Sequence, residues 1–544
     1  RNQYKSVQIL IREVAYSRLT RAERKERHLA VADYFDGIGE VELTTVVASH
    51  LFDAYRADPD APDARDLATR GRDALIRAAR RAADLHSHRQ VLRLADRAAA
   101  MATTDHERAE LETLKAQATR GMGDLAGAIA AARTALDLYH EADVETRKRA
   151  ATLLGQCLND DYQTADAIEI LEPLARRGSH DAAGDVELGA ALARAYMLEN
   201  RNEEAIRTAE DALPAAEDLD LIEPLVDLLI TKATAFMGVG RRRESIALLR
   251  GALALAEAND LTQAALRAHN NISVVLDADD ERAAAENAHG AWEKALALGD
   301  PLWMSVYGFN EAMVAEAEGH YDEARAIEAQ IGDTMTERTR GSFEFLWAYH
   351  GLSTGEVGME EALESCKFLL DGQDPQSQAW YDQVQADAYF FVGDFGRAHE
   401  LALQSSYAYG YPYHLETALQ AAIWMGDIDR IRTAARVIAD FQGKGRMVDN
   451  LRRLADAAVA HGEGRTSDAA AMARQYLDGV AKIRLGRDAA VCTASVARLL
   501  GRDHPLGEEA GDEAHRILSE QGRARMLTVF AEALPPPHAE AATG

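Results

Sequence analysis

The sequence predicts an all-α array of paired helices stacked side by side, a solenoid rather than a single globular core. The first observation is a recurring pair, a glycine or polar residue with a small or apolar residue five places on. It occurs at Gly123/Ala128, Tyr162/Ala167, Asn200/Ala205, Gly240/Ser245, Asp279/Ala284, Gly319/Ala324, Val357/Ala362, Gly393/Ala398, Gly426/Ile431 and Gly464/Ala469, with a weaker copy at His86/Val91. The second is the spacing of about 38 residues between copies, within the range where helical pairs stack. The third is that no stretch alternates apolar and polar residues with period two. A chain of 544 residues exceeds one ordinary core, but a solenoid escapes that limit because each repeat packs only on its neighbours.

The segment from Ala386 to Ala398 shows the unit. Ala386 and Tyr389 share a helical face, Gly393 relieves a tight turn, and Ala398 is small enough for a second helix to approach. Several copies add Ala seven places after the small position, as in Ala135-Leu136, Ala212-Leu213, Ala252-Leu253 and Ala291. Many carry an aromatic residue four places before the turn, as Tyr196, Phe236 and Tyr389 do. This grammar resembles the tetratricopeptide (TPR) repeat, with lengthened helices and mostly without its closing Pro, over residues 67–535. The resemblance implies a TPR-like α-solenoid, a right-handed superhelix of about ten or eleven helical hairpins whose first helices line a concave groove.

Residues 1–55 do not follow the repeat. Arg24, His28 and Ala32 fall along one helical face, with Tyr16 before them and His50 after. This pattern resembles the junction in bacterial STAND and AAA-like signalling ATPases, where a leucine-rich helix ending in Val14-Ala15-Tyr16, then an Arg, a His and an Ala, joins an ATPase and winged-helix segment to a TPR-like tail. The loop Ala54-Tyr55-Arg56 to Asp63 looks most like members fused to class III adenylate or guanylate cyclase domains, and Gln8 departs from the His usual in that pattern. The resemblance implies that Tyr16, Arg24, His28 and His50 pack at the junction, and that an ATPase or effector domain precedes it in the same polypeptide. With neither an initiator Met nor a signal-peptide core at Arg1, the chain reads as cut from a longer protein.

Residues 56–66 are rich in Pro and Asp and read as a loop, with strong helical pattern from Leu67 to Met101. Thr104 with Glu107 fits a capping box, and Asp300-Pro301 and Asp374-Pro375 each offer an N-cap with Pro at the first helical position. His515–Gly522 and Met526–Leu534 read as the last helical pair, and 536–544 as a disordered tail.

Chemistry is sparse. The formal charge of −29 argues against nucleic-acid and anionic-membrane partners. Cys157, Cys366 and Cys492 form no CxxC pair and suit a reducing cytoplasm, and no run is long enough to span a bilayer. No phosphate-cradling Gly-x-x-x-x-Gly-Lys-Ser/Thr is present, and Gly443-Lys-Gly445 lacks its spacing. His86-Ser-His88 points its rings apart on a helix, so no metal or other cofactor is expected. Arg241-Arg242-Arg243 reads as a short basic surface turn.

Two groups stand out as candidates for binding a protein or peptide partner, or a small inducer, in the groove. Tyr407, Tyr409, Tyr411 and Tyr413, with Trp380 nearby in sequence, offer rigid rings with polar tips, though wedging irregular repeats together explains them as well. Asn270, Asn271 and Asn310 fall on first helices, where amides can pair with an extended backbone, although capping or solvent-facing Asn is commoner. The expected function is therefore non-enzymatic: the sensory, protein-interaction part of a multidomain bacterial signalling ATPase, regulating a nucleotide cyclase. A stand-alone TPR scaffold, and the ligand-sensing region of a LuxR-type transcriptional regulator clipped before its DNA reader, remain open.

Overall fold

The repeat grammar builds one turn again and again. At Asn200 the chain swings into the left-handed region (φ 57°), its N–H reaching Met197 O at 3.1 Å and the Arg201 N–H reaching Tyr196 O at 2.9 Å. These two bonds satisfy carbonyls that a helix end leaves orphaned. The same pair forms at Gly240, where its N–H meets Met237 O at 2.9 Å and the Arg241 N–H meets Phe236 O at 2.8 Å, and again at Gly393, with Phe390 O at 3.1 Å and Tyr389 O at 2.9 Å. Gly123, Tyr162, Gly319, Gly426 and Gly464 are left-handed too. At the seventh copy the left-handed residue is Gly355, not Val357, because a valine Cβ resists that conformation. The residue five places on is buried in every copy, from Val91 and Ala128 to Ala469, which is why it must be small or apolar.

The computed structural model describes residue 14 and residues 16–534, apart from 86, 176–182, 278, 333–334, 336, 371–374 and 410–411, with backbone alone at 41, 277, 337, 375–376 and 407–409. The expectations for His86, Asp374, Tyr411 and the tail at 536–544 therefore lie outside the described residues, as do those for the Tyr407 and Tyr409 side chains. Among the described residues there is no strand, and no helix is long and apolar enough to cross a membrane. The chain divides into two compact units, Arg1–Asp161 and Tyr162–Gly544.

The first unit holds α1 (Arg21–Ile38), α2 (Thr44–Ala57), α3 (Ala64–Asp84), α4 (His88–Ala99), α5 (Asp105–Gly121), α6 (Leu125–Leu138) and α7 (Val144–Asp160). Reciprocal capping boxes start α1 at Thr20/Glu23 and α5 at Thr104/Glu107. Ala32, Val47, Leu51 and Phe52 share one core with Leu75, Leu94 and Leu111. Helices α1 and α2 thus pack on the repeats as a further hairpin, and α3 already begins at Ala64, inside the stretch that Pro and Asp mark as loop. One face of α1 stays open: Tyr34 is 68% exposed, and Ile38 is exposed as well.

The second unit runs through α8 (Thr164–Ala175), α9 (Ala183–Leu198), α10 (Asn202–Asp218), α11 (Ile222–Gly238), α12 (Arg242–Ala258), α13 (Thr262–Asp277) and α14 (Glu281–Leu298). It continues with α15 (Pro301–Glu318), α16 (Tyr321–Ile331), α17 (Glu337–Thr354), α18 (Met359–Ser365), α19 (Pro375–Phe391), α20 (Phe395–Tyr409) and α21 (Pro412–Met425). The last six are α22 (Ile428–Asp440), α23 (Arg446–Gly462), α24 (Thr466–Ile483), α25 (Gly486–Leu500), α26 (Pro505–Glu520) and α27 (Ala524–Val529). Successive helices pair in antiparallel hairpins, and first helices also touch first helices, as α9 touches α11 and α11 touches α13. The array does not stay open along its length: α24 meets α14, α25 meets α15 and α21, and α27 meets α17 and α19. The final hairpins of the unit therefore fold back on its middle.

Candidate functional site

That return contact concentrates the buried charge of the second unit. Glu316, in the last turn of α15, is 1% exposed, and Arg523, at the turn before α27, is 0% exposed. The Arg523 guanidinium donates to the Glu316 carboxylate at 2.5 Å, to the Glu316 backbone carbonyl at 2.8 Å and to Ser353 Oγ at 2.6 Å. Arg487 donates to the other Glu316 oxygen at 2.9 Å, and His350 Nδ1 lies 3.0 Å from the first. Burial works against ionisation of Glu316, but Arg487, the His350 hydrogen bond and Arg523 outweigh it and hold the carboxyl at about 2. Around the pair, Tyr321 Oη donates to Gln521 O at 2.6 Å, Gln521 Nε2 donates to Ala317 O at 3.1 Å, and Arg525 donates to Leu352 O at 3.0 Å and Val357 O at 2.9 Å.

A second knot lies beside it. Arg484, at the end of α24, pairs with Glu416 on α21 and lies 3.7 Å from Glu281 on α14, whose carboxylate also accepts the Leu485 N–H at 3.0 Å. Arg484 also lies over the Tyr413 ring at 6.0 Å. Asp387 accepts from Gln383 at 2.8 Å, from Thr417 at 3.0 Å and from the Tyr349 hydroxyl at 3.3 Å. Burial raises its carboxyl to about 6 despite the Gln383 and Thr417 hydrogen bonds. Burial likewise pushes the Cys157 and Cys366 thiols up to about 11, so they are not activated nucleophiles. Among the described residues no group of three or more His, Cys, Asp or Glu is arranged to hold a metal ion.

The residues expected from sequence fall in separate places. In the first unit Tyr16, Arg24, His28 and His50 come together: Tyr16 Oη is 3.0 Å from His28 Nε2, His28 Nδ1 is 2.9 Å from His50 Nδ1, and Arg24 lies 4.8 Å from the Tyr16 ring centroid while donating to Tyr16 O at 3.1 Å. In the second unit Asn271 is engaged, donating to Arg267 O at 2.8 Å and accepting from Thr234 Oγ1 at 3.0 Å. Asn270 and Asn310 are half-buried at the same distance before their hairpin turns, and neither amide finds a hydrogen-bond partner among the described residues. Trp380 is packed edge-on against Phe309 and Phe345, so its ring holds repeats together. Tyr413 belongs to the Arg484 knot.

Sequence reasoning did not find Glu316, Arg484, Arg487 or Arg523. A usable signal was present: Glu316 interrupts the apolar run Ala312–Ala317, and Arg523 directly follows the glycine that ends α26. The partners themselves lie between 68 and 207 positions away, where no local pattern reaches.

The fold defines an all-α protein of TPR-like helical hairpins. No protein-family model matches the chain, and no curated protein matches it in sequence. Solved structures do resemble it in fold. A Rap protein complexed with competence and sporulation factor superposes with a TM-score of 0.42 at 11% identity, over 67% of this chain and 99% of that one. Aspartyl phosphate phosphatase F from Bacillus subtilis gives 0.39 at 14%, over 61% and 92%, and the APC/C hetero-tetramer Cut9–Hcn1 gives 0.33 at 13%, over 85% and 96%. At such identities and scores the fold assignment rests on the hairpins themselves.

Proposed function

We propose that the chain is a non-catalytic, peptide- or protein-binding helical array that serves as the sensory part of a larger bacterial signalling protein of the STAND ATPase type, coupled to a nucleotide cyclase. One observation carries the binding reading: Asn270 on α13 and Asn310 on α15 occupy equivalent positions on alternate helices, half-exposed, with no hydrogen-bond partner among the described residues. An amide offers both a donor and an acceptor, so two of them in register suit the backbone of an extended peptide. The open Tyr34 and Ile38 face of α1 supports docking of an upstream domain.

A second reading, a stand-alone scaffold, is favoured by the way α1 and α2 share their core with α3–α5, as a capping hairpin does. The gene sequence on both sides of this segment separates the two. The binding reading is tested with a displayed library of random peptides selected on the wild-type chain and on Asn270→Ala/Asn310→Ala. Peptides selected by the wild type should bind the double variant at least tenfold more weakly, with unchanged circular dichroism. Equal affinity for both proteins removes the reading.

A further inference from the structure

The contact between the end of the second unit and its middle is built from two unlike halves. Toward α19 and the end of α21 it is apolar: Phe530 stacks on Trp424 at 4.5 Å between centroids, meets Phe390 edge-on at 5.7 Å, and Met526 is buried in the same core, whereas Glu416 earlier on α21 pairs with Arg484. Toward α14, α15 and α17 it is polar. There Arg484, Arg487, Gln521, Arg523 and Arg525 meet two carboxylates, Glu281 and Glu316, and the last carbonyls of α15 and α17. A helix C-terminus carries unsatisfied carbonyls and a partial negative charge, so two such ends beside Glu316 form a receptor for guanidinium groups.

We propose that this face of α14, α15 and α17 is a docking site for an arginine-bearing segment of a partner protein, and that residues 484–529 occupy it in the isolated chain. The inference deepens the peptide-binding reading above and rests on it. Three further facts support it. Buried ion pairs contribute little net stability but specify their partner closely, so the polar half releases at small net cost while the apolar half keeps the segment attached. Residues 162–544 carry 35 Lys and Arg against 63 Asp and Glu, so a basic partner is attracted to this unit over distance. Gly486 sits so close to Ala317 O that a Cβ there would lie 1.9 Å from it, so the inserted segment is fitted at backbone level.

A tethered occupant competes at an effective concentration of about millimolar, so a free segment should bind the wild-type chain weakly. The probe is a fluorescein-labelled peptide of residues 481–530, titrated by anisotropy against the full chain and against Arg523→Ala/Arg525→Ala. The double variant should bind it at least tenfold more tightly than the wild type, and adding Glu316→Gln should cancel the gain. A folded double variant that binds no better than wild type overturns the proposal. Hydrogen exchange on the unaltered chain provides a test without mutation: excess peptide should speed exchange of the amides in 521–525 and leave α21 unchanged. Exchange of 521–525 only together with α21, unaffected by peptide, overturns it as well. Neither measurement involves Asn270 or Asn310, so failure here is distinct from failure of the peptide-library test.

Discussion

Arg523 donates to Glu316 at 2.5 Å although the two lie 207 positions apart, and almost nothing of either side chain reaches solvent. Burying both charges is costly, and the pair is tolerated because Arg487, His350, Ser353 and the Glu316 carbonyl satisfy what remains.

Glu316→Gln should therefore destabilise the second unit by about 3–5 kcal/mol at pH 7, because two arginines lose their counter-charge. The folded carboxyl titrates near 2 and an unperturbed one near 4.5. Its contribution is complete above the higher value and lost as pH falls toward the lower. Thermal melts between pH 7 and pH 2.5 should show the penalty of the variant shrinking with acid; a pH-independent penalty contradicts the ion-pair account.

Asp387 should behave in the opposite sense. Its carboxyl titrates near 6 in the fold against 3.8 unperturbed, so the fold favours its protonated form, and stability falls as pH rises through that window. Asp387→Asn keeps an acceptor for Gln383 and Thr417 and should stabilise by about 2 kcal/mol at pH 7.5. The gain should vanish below pH 4, as read by chemical denaturation.

Gly486→Ala places a methyl group against the Ala317 carbonyl, at a backbone φ of 29° that side chains rarely adopt. A loss of about 2–3 kcal/mol is expected, with faster hydrogen exchange in α25 and α27 and little change in α9–α12. Uniform acceleration across the unit argues against a local contact.

In the first unit, burial holds the His28 imidazole below its usual pKa, and His50 adds to this while Asp53 opposes it. Stability linked to neutral His28 is complete above pH 6.5 and is lost as acid drives the ring toward its folded value. Amide exchange in α1, corrected for its intrinsic pH dependence, should accelerate as pH falls below 6.5, and His28→Phe should abolish that acceleration.

The hairpin series was legible because its cause is local. A left-handed turn favours Gly, Asn or Asp, with Tyr162 the exception, the aromatic residue four places earlier lends its carbonyl to the turn, and an arginine then covers the ring, as Arg201 covers Tyr196 at 4.4 Å and Arg241 covers Phe236 at 3.9 Å. Where Val357 was expected to turn and Gly355 does, two candidates stood two places apart and only backbone sterics chose between them. The knots at Glu316 and Glu416 were not legible. Each arginine there sits at a helix end whose local pattern is ordinary, and its meaning depends on which earlier helix it returns to, a matter of geometry accumulated over several hairpins.

The distance in sequence between Glu316 and Arg523 also sets a timetable. A ribosome adds roughly 5–20 residues each second, so Glu316 leaves the exit tunnel about 10–40 seconds before the guanidinium that neutralises it. For most of that interval, until Arg487 also emerges, the end of α15 carries a carboxylate with neither of its arginines. Nascent protein is thus the form in which this acidic face first meets the cell.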